Sequence, residues 1–310
     1  MWVAGGTFVA ITCCNVDAHL VPHRESPSDG KNLARVFPGR PDGTLTERVA
    51  HCIFEDFIKR DVTLYCDLHT AGQDMRMIPT IGYVLQPMPL NPSSVEQARV
   101  IRTNISPRGL RCVAQTISRN VSCGQAAAKA FGLKTIWSNA PDVGAPELTW
   151  QAGDDIPSPF GKGTSGVASW LAGVPFLYTE ATGAGGLHPQ DIKLYADGVR
   201  NLLAHLGLRP GGSPPPPNDQ VVIEDTEQGS SNIQHQGVTP VGGLFHASVD
   251  LYDTVSKGQL LGTIVDLFGN VLHELRSTKD GVVITIRHVP RVQAGDALVN
   301  IAPGAGPPEY

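Results

Sequence analysis

From the start of the chain to about residue 209, two hydrophobic patterns alternate. Thr7–Ile11, Val62–Leu68 and Val174–Glu180 are short, rich in β-branched or aromatic residues and almost continuously apolar, which predicts strands covered on both faces. Between them lie stretches with helical spacing. The clearest opens at Thr44, where Glu47 completes a capping box and apolar residues follow at 49, 50, 53, 54, 57 and 58. Strands alternating with helices predict an α/β unit.

The pattern breaks at Arg209-Pro210-Gly211-Gly212-Ser213 and the prolines 214 to 217, a stretch that cannot continue a helix and favours extended geometry. Beyond it come short apolar runs separated by glycine-containing turns, at 242–245, 255–265, 281–286 and 295–299, which predict a small all-β barrel or sandwich. Residues 249–260 and 292–298 read as two versions of one turn-then-strand unit. The expected organisation is a first domain over 1–209, a linker over 210–218 and a β-rich domain over 219–310. Residues 87–123 fit neither pattern and read as an atypical insertion, since structureless loops beyond ~12–15 residues are uncommon in compact domains.

Composition narrows the function classes. With 310 residues, 41% of them hydrophobic and 17% charged, the chain has material for two buried cores. The net charge is −5 and no basic run interleaves with aromatics, which argues against nucleic acid or an anionic membrane as partner. Apolar stretches stop well short of the ~20 residues that span a bilayer, and the start carries no basic leader, so a cytoplasmic location is expected. Six cysteines, at 13, 14, 52, 66, 112 and 123, form no Cys-x-x-Cys pair and read as reduced, mostly buried thiols.

Three segments carry chemistry. Asp67-Leu68-His69 ends an apolar strand, so a carboxylate and an imidazole share one face where the chain turns into a loop, the usual ligand position in an α/β sheet. Such an imidazole is a natural zinc ligand, although a histidine hydrogen-bonded at a strand end is the commoner occurrence. Glu180 closes a second apolar strand and enters Ala181-Thr182-Gly183-Ala184-Gly185-Gly186. A carboxylate there is expected to have a raised pKa and to suit general-base work, or else to pair with an arginine. Arg24 and Arg35 lie on a polar loop running to Gly39, where guanidinium groups either clamp a carboxylate or stand in water.

Taken in order, Arg24…Ser26-Pro27…Asp29-Gly30…Asn32-Leu33-Ala34-Arg35-Val36-Phe37-Pro38-Gly39, then Asp67-Leu68-His69, then Thr179-Glu180-Ala181-Thr182-Gly183, with β-rich sequence following, resemble the succinylglutamate desuccinylase/aspartoacylase family. The resemblance implies a zinc carboxypeptidase-like mixed sheet with flanking helices, followed by a barrel-sandwich-like β domain. It also implies a zinc-dependent hydrolase of the amide bond in an N-acyl amino acid or similar small acylated amine. By position, His69 corresponds to a zinc ligand supported by Asp67, Glu180 to the general acid/base, and Arg24, Arg35 and Asn32 to substrate-binding residues. Ala34 stands where the family has an asparagine. The family's other two zinc ligands come from a His-x-x-Glu motif, which does not occur in these 310 residues, so the first domain is expected to be an N-terminally truncated one.

His19 and His23, His51 with Glu55, and His188 with Asp191 are read as surface or loop groups rather than as that pair. The competing expectation is a family member that binds small carboxylates without hydrolysing them. Association into a homo-oligomer is left open.

Overall fold

A computed structural model describes residues 6–21, 23–60, 62–83, 116–139, 164–172, 174–225 and 237–304. Its centre is a five-stranded mixed sheet made of β1 (Tyr65–Thr70), β3 (Thr80–Tyr83), β4 (Thr135–Asn139), β5 (Phe176–Ala181) and β6 (Val221–Asp225), in the order β1-β5-β3-β4-β6. β5 runs parallel to β1 and antiparallel to β3, while β3, β4 and β6 are mutually parallel. This is the α/β class expected from the alternating patterns, with the mixed strand directions that the family resemblance implies.

Side-chain alternation divides the sheet into two covered faces. Ile81, Tyr83, Ile136 and Leu177 form one buried cluster with Ala127, Ala128 and Phe131 of α3 (Thr116–Phe131) and Leu202 of α5 (Pro189–His205). On the other face, Tyr65 packs against a cluster of Leu33, Phe37, Ala50, Ile53, Phe54, Ile58 and Ala168. Those residues come from a single helical turn at Leu33–Arg35 and Phe37 just after it, from α2 (Leu45–Ile53) and the turn that continues it to Ile58, and from α4 (Ser165–Leu171); α1 is a short turn at Val16–His19. The Thr44/Glu47 capping box opens α2 as expected, with the Thr44 N–H on Glu47 Oε2 at 2.8 Å. A wider helical turn over Phe54–Ile58 then extends the helix, leaving Ile58 fully buried and Phe57 39% exposed.

Two further sheets use the C-terminal sequence. One has the order β10-β9-β7-β12, built from β7 (Gly243–Ala247), β9 (Leu260–Val265), β10 (Val271–Arg276) and β12 (Arg291–Val292). The other joins β13 (Val299–Ala302) and β11 (Gly281–Arg287) to β2 (Met75–Met77), with β8 (Thr254–Val255) pairing β11 beside it. The echoed unit is real. Ser256–Gln259 and Gln293–Asp296 are both turns with a glycine at positive φ, Gly258 and Gly295, and in both the last side chain accepts the first residue's N–H, at 3.0 and 2.9 Å.

Several expectations are corrected. Residues 7–11 form no strand; Phe8, Val9 and Ile11 stand exposed because no neighbouring strand among the described residues pairs with them. The Pro-rich stretch links α5 to β6, and β6 returns to the first sheet rather than opening the β-rich region. β2 in turn leaves the first unit to pair with β11, and Met77, Ile78, Trp137 and Ile223 share one core with Val282, Ile284 and Ala302. Of residues 87–123 only 116–123 are described, and these begin α3; the remainder lies outside the described residues. Cys14, Cys52 and Cys123 are exposed and Cys13 and Cys66 half-buried, so the described thiols are free but not mostly buried. No helix among the described residues is long and apolar enough to cross a membrane.

The loop before α2 is tied down by one carboxylate. Asp29 accepts the Thr46 N–H at 2.8 Å, the Thr46 hydroxyl at 2.7 Å and the Lys31 N–H at 3.1 Å, placing a negative charge at the helix N-terminus. Against the desolvation that would raise it, these bonds pull its pKa down to about 2, and Lys31 and Thr44 do the same for Glu47. Both groups have lowered folded-state pKa values. Their stabilisation is therefore complete above about 4.5 and is lost as the pH falls towards about 2. Asp29→Asn is expected to cost about 1 kcal/mol at neutral pH, in the range of a lost helix cap, and to flatten this acid limb in urea melts at a series of pH values.

Candidate active site

The parallel pairing of β1 with β5 puts Glu180 directly across from His69, and Asp67, two residues before His69, shares that face. The face lies opposite α3 and α5, at the carboxyl ends of both strands, where ligands collect in α/β sheets. His69 Nε2 is 3.4 Å from Asp67 Oδ2, and His69 Nδ1 is 3.8 Å from Glu180 Oε1. The imidazole is 42% exposed, whereas Asp67 and Glu180 are 20% and 16% exposed. A substrate can reach the cluster, and its carboxylates sit towards the protein.

Neighbouring elements hold the three groups in place. The Ser165 hydroxyl, at the start of α4, donates to Asp67 Oδ2, and the Tyr195 hydroxyl on α5 donates to the His69 carbonyl at 2.5 Å. Tyr65, Phe176 and Tyr178 stack in series on the same face, with ring centroids 5.8 and 6.0 Å apart. Glu180 Oε2 is buried and takes no hydrogen bond from the described residues. Such an oxygen is costly unless something with a proton or a positive charge visits it.

The electrostatics follow from this placement. Burial raises the pKa of Glu180, opposed by the positive charge on His69 and supported by Asp67. Desolvation works against charge on His69, yet Asp67 and then Glu180 raise its pKa above the ordinary imidazole value. Asp67 is buried too, and His69 and Ser165 hold its pKa down. His69 thus lies between two carboxylates, of which Glu180 is the easier to protonate.

The loop after Glu180 is set by backbone geometry. Gly183 has φ +79°, and a side chain there would lie 2.7 Å from the Met75 carbonyl and 2.8 Å from the Ala71 side chain. Asp191, at the start of α5, accepts the Thr182 N–H at 3.1 Å and its hydroxyl at 3.0 Å, while His188 Nε2 lies 3.2 Å from the Gly183 carbonyl. His188 and Asp191, read from sequence as surface or loop groups, thus brace the segment leaving the site. Cys14 was not expected here; although its residue is exposed, partial desolvation of the thiol and then the Asp67 charge raise its pKa.

The arginine loop joins the same cluster. Asn15 Oδ1 accepts the Ala18 N–H and the Ser26 hydroxyl, and Asp17 accepts the Ser28 N–H and hydroxyl. Asn32 Oδ1 accepts the Ala34 N–H at 2.9 Å, so its amide oxygen caps the short turn that carries Arg35. The charge of Arg24 is felt at His69, at Glu180 and at Arg35. Desolvation and then Arg24 lower the pKa of the Arg35 guanidinium, which donates to the Ala34 carbonyl at 2.9 Å. Arg24 therefore carries its charge near both the Glu180 carboxylate and the Arg35 guanidinium.

A catalytic zinc typically keeps three protein ligands. Among the described residues no three His, Cys, Asp or Glu side chains converge on a point that could hold an ion, and both nitrogens of His69 already face carboxylates. The described residues therefore do not by themselves fit a complete zinc site.

Residues 5–206 match the model of the succinylglutamate desuccinylase/aspartoacylase catalytic domain. The chain belongs to that family. A relative, the N-alpha-acetyl-L-2,4-diaminobutyric acid deacetylase of Halomonas elongata, is 28% identical over 301 residues, covering 96% of this chain and 72% of that protein. Among solved structures, the product-bound ectoine utilization protein EutE (DoeB) from Ruegeria pomeroyi superposes with a TM-score of 0.70 at 22% identity, over 94% of this chain and 73% of that one. The succinylglutamate desuccinylase/aspartoacylase from Rhodobacter sphaeroides gives 0.68 at 21% identity, over 93% and 72%. These structural likenesses establish the shared fold.

Gly183→Ala is expected to cost roughly 1–2 kcal/mol for the left-handed backbone, with the contact on the Met75 carbonyl added. Thermal melts should show a lowered midpoint, and an unchanged midpoint would show that the loop does not need this conformation.

Proposed function

We propose that this chain hydrolyses the amide bond of a small N-acyl amino acid or similar acylated amine. The observation that carries the reading is the juxtaposition of a buried, unpartnered Glu180 oxygen with His69 and the Arg24 charge at the ends of β1 and β5. Family membership and the deacetylase name of the Halomonas relative support the same substrate class.

In this reading Arg35, aimed by the Asn32-capped turn, binds the substrate carboxylate, and Arg24 lies over the scissile carbonyl, where it stabilises the developing oxyanion. Glu180 takes a proton from the attacking water as the new carbon–oxygen bond forms. It returns that proton to the nitrogen as the carbon–nitrogen bond breaks, a role suited to a carboxylate whose pKa is raised by burial. Zinc on His69, the cofactor that the family resemblance implies, would polarise the carbonyl, but the described residues do not complete its ligand set. We further read residues 1–209 together with β6 as the hydrolase unit, and the strands from β7 onward as a barrel-sandwich-like unit.

That unfinished ligand set favours a second reading, in which the same arginines hold small carboxylates without turnover. The two separate in one experiment with N-acetyl and N-succinyl amino acids. For the hydrolase, Glu180→Gln abolishes product release, by roughly 100-fold or more as expected for loss of a general base, and leaves calorimetric binding intact. In both readings Arg35→Ala weakens binding about 10-fold or more, as loss of a charge-assisted pair does. Binding without turnover by the unmodified chain would decide for the second reading.

Metal content is checked independently. After dialysis against a weak chelator, elemental analysis is expected to find well under one zinc per chain, unchanged by His69→Ala. About one zinc, lost in that variant, would show that ligands outside the described residues complete the site.

A further inference from the structure

The register of the central sheet lines up four residues on adjacent strands. His69 on β1 pairs with Glu180 on β5, Glu180 with Thr80 on β3, and Thr80 with Thr135 on β4. Residues paired in this way share a face, so the row starts at the half-exposed imidazole and runs inward from it. Thr80 is 1% exposed and Thr135 is fully buried. Trp137 and Ile223, next to the row on the same face, pack under Val282, Ile284 and Ala302 of β11 and β13, which cover its inner end.

Glu180 Oε2, Thr80 Oγ1 and Thr135 Oγ1, the side-chain oxygens of the three inner members, are all buried and make no hydrogen bond with the described residues. Each such atom carries a desolvation cost, and three of them on consecutive strands call for a common partner. They are spaced too widely to serve one another. Adjacent strands lie about 4.8 Å apart, whereas a hydroxyl hydrogen bond spans about 2.7–2.8 Å. Two bonds of that length meeting at an open angle on one water cover the strand spacing. Two neutral hydroxyls and a single carboxylate oxygen are too few to replace the hydration shell of a cation, but they match an internal water, which takes two to four polar partners.

We propose that Thr80 and Thr135 hold an internal water against Glu180 Oε2, and that this water fixes the direction in which Glu180 presents its other oxygen. Thr80 and Thr135 are then positioning residues, which act on Glu180 and not on substrate. The two carboxylate oxygens have separate duties. Oε1 faces His69 at 3.8 Å, on the side of the reacting groups, while Oε2 is turned inward and accepts a proton of the water. The last torsion of a glutamate is broad, so anchoring one oxygen removes the rotation that would swing the other away from the centre. The effect on catalysis rests on the hydrolase reading; the water and the orientation of Glu180 do not.

A high-resolution crystal structure of the full chain tests the water directly. It is expected to lie within hydrogen-bond distance of Glu180 Oε2, Thr80 Oγ1 and Thr135 Oγ1. In Thr80→Val it should be lost and the Glu180 carboxyl rotated or split between conformers, whereas Thr80→Ser, which keeps the hydroxyl, should retain both. No water at these oxygens, or a Glu180 orientation indifferent to Thr80→Val, overturns the proposal. Kinetics with N-acetyl and N-succinyl amino acids test the consequence. Thr80→Val is expected to lower kcat about 10-fold, as loss of a hydrogen bond to a charged group does, with KM unchanged because Arg35 holds the substrate, and Thr80→Ser should restore most of the rate. A merely structural threonine would lower the melting midpoint and leave kcat alone. If Glu180→Gln abolishes turnover while Thr80→Val does not slow it, the positioning role falls and the hydrolase reading stands. If the unmodified chain shows no turnover, the hydrolase reading falls, and the crystal structures alone decide on the water and on the orientation of Glu180.

Discussion

The site depends on one pairing, the parallel register of β1 with β5. Hydrogen bonding between these strands sets His69 beside Glu180, and the pleat then requires Asp67 to share their face. A slip of one residue would turn Glu180 to the side of α3 and α5, where Leu177 and Ile81 are packed. The pairing is held by burial on both faces. Leu177 is enclosed by α3 and α5, and the stacked rings of Tyr65, Phe176 and Tyr178 lie on the face that carries the chemistry.

Around that register the charges are arranged so that none is satisfied by a single neighbour. His69 lies between two carboxylates, Asp67 also takes the Ser165 hydroxyl, and Glu180 keeps one oxygen without a partner. Arg24 acts on both His69 and Glu180 and repels Arg35. An arrangement of this kind is costly for a core. An anion beside the arginines and a proton on Glu180 would both relieve it, and the proposed hydrolysis supplies the two together.

The C-terminal sequence reaches the site through β2. This short strand pairs with β11 on one side, and on the other Arg76 bridges to Gly183 in the loop that leaves Glu180. The Met77 N–H donates to the Thr182 carbonyl and the Ile78 N–H to the Ile284 carbonyl, both at 3.0 Å. The shared core of Met77, Ile78, Trp137 and Ile223 with Val282, Ile284 and Ala302 makes this a packed connection. The β-rich region is thereby packed and hydrogen-bonded, through β2, to the glycine loop.

Local pattern was enough to reveal much of this. The α2 capping box, the strands at 65–70 and 176–181, the glycine turns of the β region and their echo were legible because each depends on residues close in sequence, although β1 is less covered than its apolar run suggested, with Leu68 46% exposed. Asp67-Leu68-His69 and Glu180 were recognisable for the same reason, as polar residues closing apolar runs. Tertiary structure alone decided that His69 faces Glu180, that β6 returns to the first sheet and that β2 leaves it. It also decided that Asn32 serves as a cap and that Ser165, Tyr195 and Asp191 hold the centre in place. Those relations join residues up to about two hundred positions apart, and pairing at that distance is selected by which faces can be buried together, a property no local window of sequence contains.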